Sequence, residues 1–185
     1  RGACRKLKLD TSTTPTTVYI AGDFQYTGGN GEDPVQANST ARYSTGFASW
    51  QLGKGWTWYP QKGTTKQDGG KESILQRAAD FKYFDGAIIL DFLVDNGEIY
   101  IVGAFSEGKG SGQTLRGVAK WDKEKQIWID PTGKGGIGRE AYSIAKADNG
   151  KIYIAGSFGG PTNKKNYDGF KNGDSAAMCA SFDPK

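Results

Sequence analysis

Histidine is absent from this chain of 185 residues. Its absence removes the commonest transition-metal ligand and the side chain that most often acts as a general base near neutral pH, which argues against much acid–base and metal-assisted enzymology. Cysteine is scarce: the two residues, Cys4 and Cys179, lie near opposite ends and have no metal-ligand spacing. In a secreted chain they are candidates for a disulfide with each other or with residues outside this segment, and they are otherwise small buried hydrophobes. Proline is limited to six residues, runs that favour helix are few, and no apolar run is long enough for a membrane span. Charge of one sign is never concentrated: the net charge of +4 is spread along the chain without a long basic run, so a solvated surface is expected rather than a nucleic-acid footprint. The chain opens at Arg1, without a signal peptide or a starting methionine, and is expected to be a segment of a longer protein.

Glycine is abundant at 28 residues and aromatics reach 12 %, an all-β profile. The clearest pattern is a motif present three times: VYIAGDF at Val18 to Phe24, IYIVGAF at Ile99 to Phe105 and IYIAGSF at Ile152 to Phe158. Each copy is a β-branched run with a Tyr, closed by Gly22, Gly103 or Gly156, a variable residue and a Phe, as in a buried strand that ends in a tight backbone feature. An apolar strand and a DNG turn precede the second and third copies, Asp95-Asn96-Gly97 and Asp148-Asn149-Gly150. Downstream come a strand ending in Trp50, Trp121 or Phe182 and, in the first two units, a short strand with a further Trp. Spaced self-similarity of this kind predicts a repeat architecture of four-stranded units.

The expected units are 4–59, 87–129 and an incomplete third, 141–185 with three strands, interrupted by insertions at 25–45 and 60–86. Within the second insertion, Ser73 to Asp80 suggests one or two helical turns capped by Ser73. In the first strand, Cys4 to Asp10, Leu7 and Leu9 alternate with Lys6 and Lys8 in the manner of a half-buried strand.

A strand ending in Gly, then Trp121-Asp122 with Trp128 seven positions after Trp121, resembles the kelch-like repeat of β-propellers, and more closely the repeats of secreted and cell-surface proteins in the galactose-oxidase-like group. The resemblance implies blades of four antiparallel strands around a central channel, about two complete blades and a partial third of a larger propeller, used as a scaffold for binding. Kelch repeats carry two adjacent glycines where this chain has Asp23, Ala104 and Ser157 after the first, and the first unit spaces Trp50, Trp56 and Trp58 differently. No oxidase activity carries over, because the copper site of those enzymes needs His ligands.

Trp56, Trp58 and Tyr59 could stack on sugar rings, but the same positions in the second unit read as inter-blade packing. Trp50, Trp121 and Trp128 are expected to supply that packing. Asn38-Ser39-Thr40 is a candidate N-glycosylation site. Ser49, Gly53 and Trp56 match an Asp-box turn only in part, and Asp23, Glu32 and Asp33 lack a regular calcium-ligand spacing. No metal, cofactor or catalytic residue is expected. The leading expectation is a non-enzymatic extracellular or cell-surface module whose partners are proteins or further blades. A glycan-binding propeller and a fragment of a propeller enzyme are the alternatives.

Overall fold

The computed structural model describes residues 3–24, 26–27, 42–43, 46–59, 75–76, 88–105, 107–108, 113–133, 135–137, 140–157, 175–176 and 179–184, and among these every regular element is a β-strand. The first sheet is antiparallel, with β1 (Cys4–Asp10), β2 (Thr17–Gly22), β5 (Phe47–Gln51) and β6 (Gly55–Trp58) side by side in that order. The short pair β3 (Tyr26–Thr27) and β4 (Arg42–Tyr43) lies within the first insertion, between β2 and β5. The strand β7 (Leu75–Gln76) follows, and then a second four-stranded sheet built the same way from β8 (Ile88–Asp95), β9 (Glu98–Ala104), β12 (Val118–Asp122) and β13 (Ile127–Ile129). Between β9 and β12, β10 (Glu107–Gly108) pairs with both β7 and β11 (Gln113–Thr114) as a small separate sheet. The third four-stranded sheet holds β14 (Ala141–Lys146), β15 (Ile152–Gly156), β17 (Cys179–Phe182) and, at its edge, β16 (Ser175–Ala176).

The three large sheets share one register. Tyr19, Tyr100 and Tyr153 stand opposite Ser49, Lys120 and Ser181, and the Trp50–Trp56 pair of the first sheet corresponds to Trp121–Trp128 of the second. Because side chains alternate across a strand, each sheet has two distinct faces. The front face carries Ile99, Ile101, Ala119, Trp121 and Trp128 in the second sheet, and these pack on Tyr19, Ala21 and Phe47 from the back of the first. The back of the second sheet, with Leu93, Tyr100, Val102 and Val118, packs in turn on Ile144, Ile152, Ile154, Ala180 and Phe182 from the front of the third. The middle sheet is therefore buried on both faces, which is why IYIVGA reads as a continuous apolar run rather than an alternating one.

The motif glycine has a steric cause. Gly22, Gly103 and Gly156 pair with Cys4, Ile89 and Ala141, and in every sheet the first strand bulges immediately after that partner. The carbonyl of the residue just before that partner abuts the glycine: a Cβ on Gly103 would lie 2.0 Å from the Ile88 oxygen, and one on Gly22 would lie 2.0 Å from the Ala3 oxygen. The Ala3 carbonyl also accepts from the Asp23 amide at 3.1 Å, so the residue after the glycine ties down the carbonyl that the glycine faces.

The Asn96-Gly97 turn has positive φ at both residues, as the DNG signal requires. The third unit differs: Gly150 alone is left-handed, and its amide bonds the Ala147 carbonyl across a longer loop. Three expectations are corrected. Leu75–Gln76 is a strand paired with β10 rather than part of a helix, since a β-edge was available to it; Ser73 and residues 77–80 lie outside the described residues. The third sheet has four strands, its edge filled by Ser175–Ala176 from just before β17. Leu7 and Leu9 are 57 % and 60 % exposed while the Lys8 ammonium turns inward, because the neighbouring sheet covers the lysine side of β1.

Replacing Gly103 with Ala is expected to destabilise the chain by about 3 kcal/mol or more, because rigid backbone rather than a side chain must yield. Gly53, left-handed at φ 80° but facing open space, should lose only about 1 kcal/mol on the same change, and urea denaturation of the two variants measures the contrast.

Candidate interaction surface

The front of the first sheet presents the same residue pattern that the second and third sheets bury, yet among the described residues no sheet covers it. Leu9, Val18, Trp50 and Trp56 form one cross-strand row, and Leu7 and Ile20 stand in the next. In the second sheet the corresponding row is Val94, Ile99, Trp121 and Trp128, packed against the first sheet with Trp128 fully buried. Leu7 and Leu9 are more than half exposed, and Val18, Ile20, Trp50 and Trp56 are only partly covered. The row is contiguous across neighbouring strands, unlike hydrophobes scattered singly over a surface.

The aromatic residues singled out in the sequence separate in the structure. Trp56 lies on the open face opposite Trp50. Trp58 belongs to β6 by its backbone, and its side chain lies outside the described residues. Tyr59 is 8 % exposed between the first two sheets, with its ring 5.1 Å from Phe47 and 5.6 Å from Trp121. Its hydroxyl shares a hydrogen bond of 2.9 Å with the Ser49 Oγ, and its carbonyl accepts from the Trp128 Nε1 at 3.2 Å. Burial pushes the Tyr59 hydroxyl up to about 12, outweighing the opposite effect of Ser49. Trp121 and Trp128 meet edge to face at 5.1 Å, and Phe182 holds the equivalent place in the third sheet beside Tyr100.

A charged hub that sequence reasoning did not single out ties the three sheets together. Asp91, 4 % exposed, sits at the bulge of β8 and accepts from the Phe92 amide at 2.8 Å, and from the Ser143 Oγ and the Ile144 amide at 3.3 Å. Lys8 Nζ of the first sheet lies 3.0 Å away and Lys6 Nζ 3.6 Å away. Lys8 also donates to the Phe92 carbonyl and stands over the Phe92 ring. Burial alone would raise the Asp91 carboxyl, but the Lys8 contact and the Phe92 and Ile144 amides together hold it below its ordinary value. The one available signal was an Asp interrupting the apolar run IILDFLV. Nothing in that run names partners far away in the chain.

Cys4 and Cys179 are both free and exposed, so the candidate disulfide is not formed: one belongs to the first sheet and the other to the third, with the second between them. Asn38 lies outside the described residues. Among the described residues no three His, Cys, Asp or Glu side chains gather as a metal-binding group, and no helix is long and apolar enough to cross a membrane. The chain matches no protein-family model, no curated protein and no solved structure.

The Asp91→Asn variant should lose about 1 to 3 kcal/mol at neutral pH. Since the folded carboxyl titrates below its ordinary 3.8, its stabilisation is complete above that value and lost as pH falls through the depressed folded one. Urea denaturation at a series of pH values should therefore show the gap to wild type closing in acid. The raised Tyr59 hydroxyl acts with the opposite sign: its contribution is complete below pH 10.0 and lost as pH rises through about 12. Tyr59→Phe should cost about 1 kcal/mol and remove that alkaline component of unfolding.

Proposed function

We propose that this chain is a non-enzymatic structural and interaction module built from propeller-type blades, working at the cell surface or outside the cell. The observation that carries the reading is the stack itself. Three four-stranded antiparallel sheets in one register pack front to back, and the first of them presents an uncovered apolar front. A blade that is apolar on both faces needs a neighbour on each side, so an end sheet works by binding. The repeated motif supplies the side chains of this packing. The kelch-like spacing of Trp121-Asp122 and Trp128 and the Asn38 acceptor triplet support the propeller and extracellular parts of the reading.

Two measurements test it. Leu9→Lys on the open face should leave stability within about 0.5 kcal/mol of wild type, whereas Trp128→Ala in the covered equivalent row should cost about 3 to 5 kcal/mol. Equal losses in urea denaturation would make the open face part of this chain's own core and remove the interaction reading. Intact mass of natively purified protein should show a glycan on Asn38. An unmodified Asn38 in protein taken from a reducing compartment would count against the extracellular placement.

A further inference from the structure

The uncovered faces at the two ends of the stack are complementary to each other. The first sheet shows a front with Leu7, Leu9, Trp50 and Trp56, while the third shows a back with Tyr153 and Cys179. Tyr153 holds the position of Tyr19 and Tyr100, which are 9 % and 2 % exposed under the next sheet, yet it is itself 37 % exposed. The back-facing residues of β15 and β17 are Tyr153, Ala155, Cys179 and Ser181, none of them charged, so an apolar sheet can settle on them without burying an unpaired ion.

We propose that the chain associates with a second copy of itself head to tail, the front of the first sheet in each copy seating on the back of the third sheet in the other. This rests on reading the sheets as blades. Two copies bring together six large sheets, within the four to eight blades that close a ring, so a heterologous contact that would otherwise extend indefinitely ends in a closed dimer. The new contact continues the two front-to-back interfaces already formed inside the chain.

The cysteines give this arrangement a second, independent mark. Cys4 is the residue paired with the motif glycine, the position of Ile89 and Ala141 in the other sheets. Cys179 stands opposite Ala155 as Phe47 stands opposite Ala21 and Val118 opposite Val102. Ile89 and Phe47 share the core between the first and second sheets, and Ala141 and Val118 share the core between the second and third. Repeating that packing between copies brings Cys4 of one beside Cys179 of the other, although the two thiols of a single chain are kept apart.

Sedimentation velocity of the full chain should give the mass of a dimer, and both Leu9→Lys and Tyr153→Asp, on exposed positions, should shift it to a folded monomer; the wild-type urea midpoint should rise with protein concentration, those of the variants should not, and the three should converge at high dilution. Diamide, an azo oxidant that takes up both thiol hydrogens as the S–S bond forms, should cross-link the wild-type dimer on non-reducing gels. Cys4→Ser alone and Cys179→Ser alone should abolish the cross-link, and co-expression of the two variants should restore it, because one Cys4–Cys179 pair then remains. A monomeric wild type overturns the self-association while leaving the blade reading intact if the Leu9 and Trp128 stability contrast holds. A cross-linked dimer that survives in either single variant overturns the head-to-tail geometry, since it requires like ends to meet.

Discussion

Burial of the middle sheet on both faces is the constraint from which the rest of this structure follows. A four-stranded sheet with Ile99, Ile101 and Trp121 on one side and Tyr100, Val102 and Val118 on the other cannot exist in water alone. It requires a sheet in front and a sheet behind, each offering a compatible apolar face. The chain meets the requirement by repeating one pattern, so that the back of every sheet accepts the front of the next. The aromatic residues carry much of this packing: Phe47 alone meets Tyr19, Tyr59, Phe92 and Trp128 with ring centroids 5.1 to 6.1 Å apart. A repeat that packs front to back has no natural end, and the exposed Leu7, Leu9 and Tyr153 are the consequence.

Stacking apolar sheets fixes neither their register nor their rotation, and two polar devices supply that. The bulge in each first strand, immediately after the residue paired with a motif glycine, sets the pairing of the first two strands at the same point in all three sheets. Asp91, placed at one of these bulges, reaches a lysine of the sheet before and an amide of the sheet after. Its charge is compensated by Lys8 and its remaining oxygen capacity by amides and a hydroxyl, which makes a buried carboxylate tolerable there. Farther along the same strands, Lys146 and Asp95 meet at 2.5 Å in a partly exposed pair, a second polar contact between the first strands of the second and third sheets.

The strands themselves were legible in the sequence. The runs of alternating or continuous β-branched residues, the glycines of the turns and the threefold motif account for eleven of the twelve strands of the large sheets. The missed one, Ser175–Ala176, is a two-residue edge without a pattern of its own. Leu75–Gln76 was equally illegible, because a strand that short is defined by the edge it joins. The cause of the motif glycine was only half visible. A tight backbone feature was expected there, but the carbonyl that forbids a side chain belongs to a facing segment that only the fold brings alongside.

What the sequence determined by itself is the unit: local periodicity and turn chemistry are short-range properties, and each of the three copies states them again. What the tertiary structure decided is which side of each strand faces what. In Cys4 to Asp10 the alternation of Leu and Lys admits either face as the inner one, and hydrophobicity alone selects the leucines. The folded chain turns Lys8 inward instead, because Asp91 and the Phe92 carbonyl of a strand far along the chain offer its ammonium partners, and the leucines are left on the exposed face.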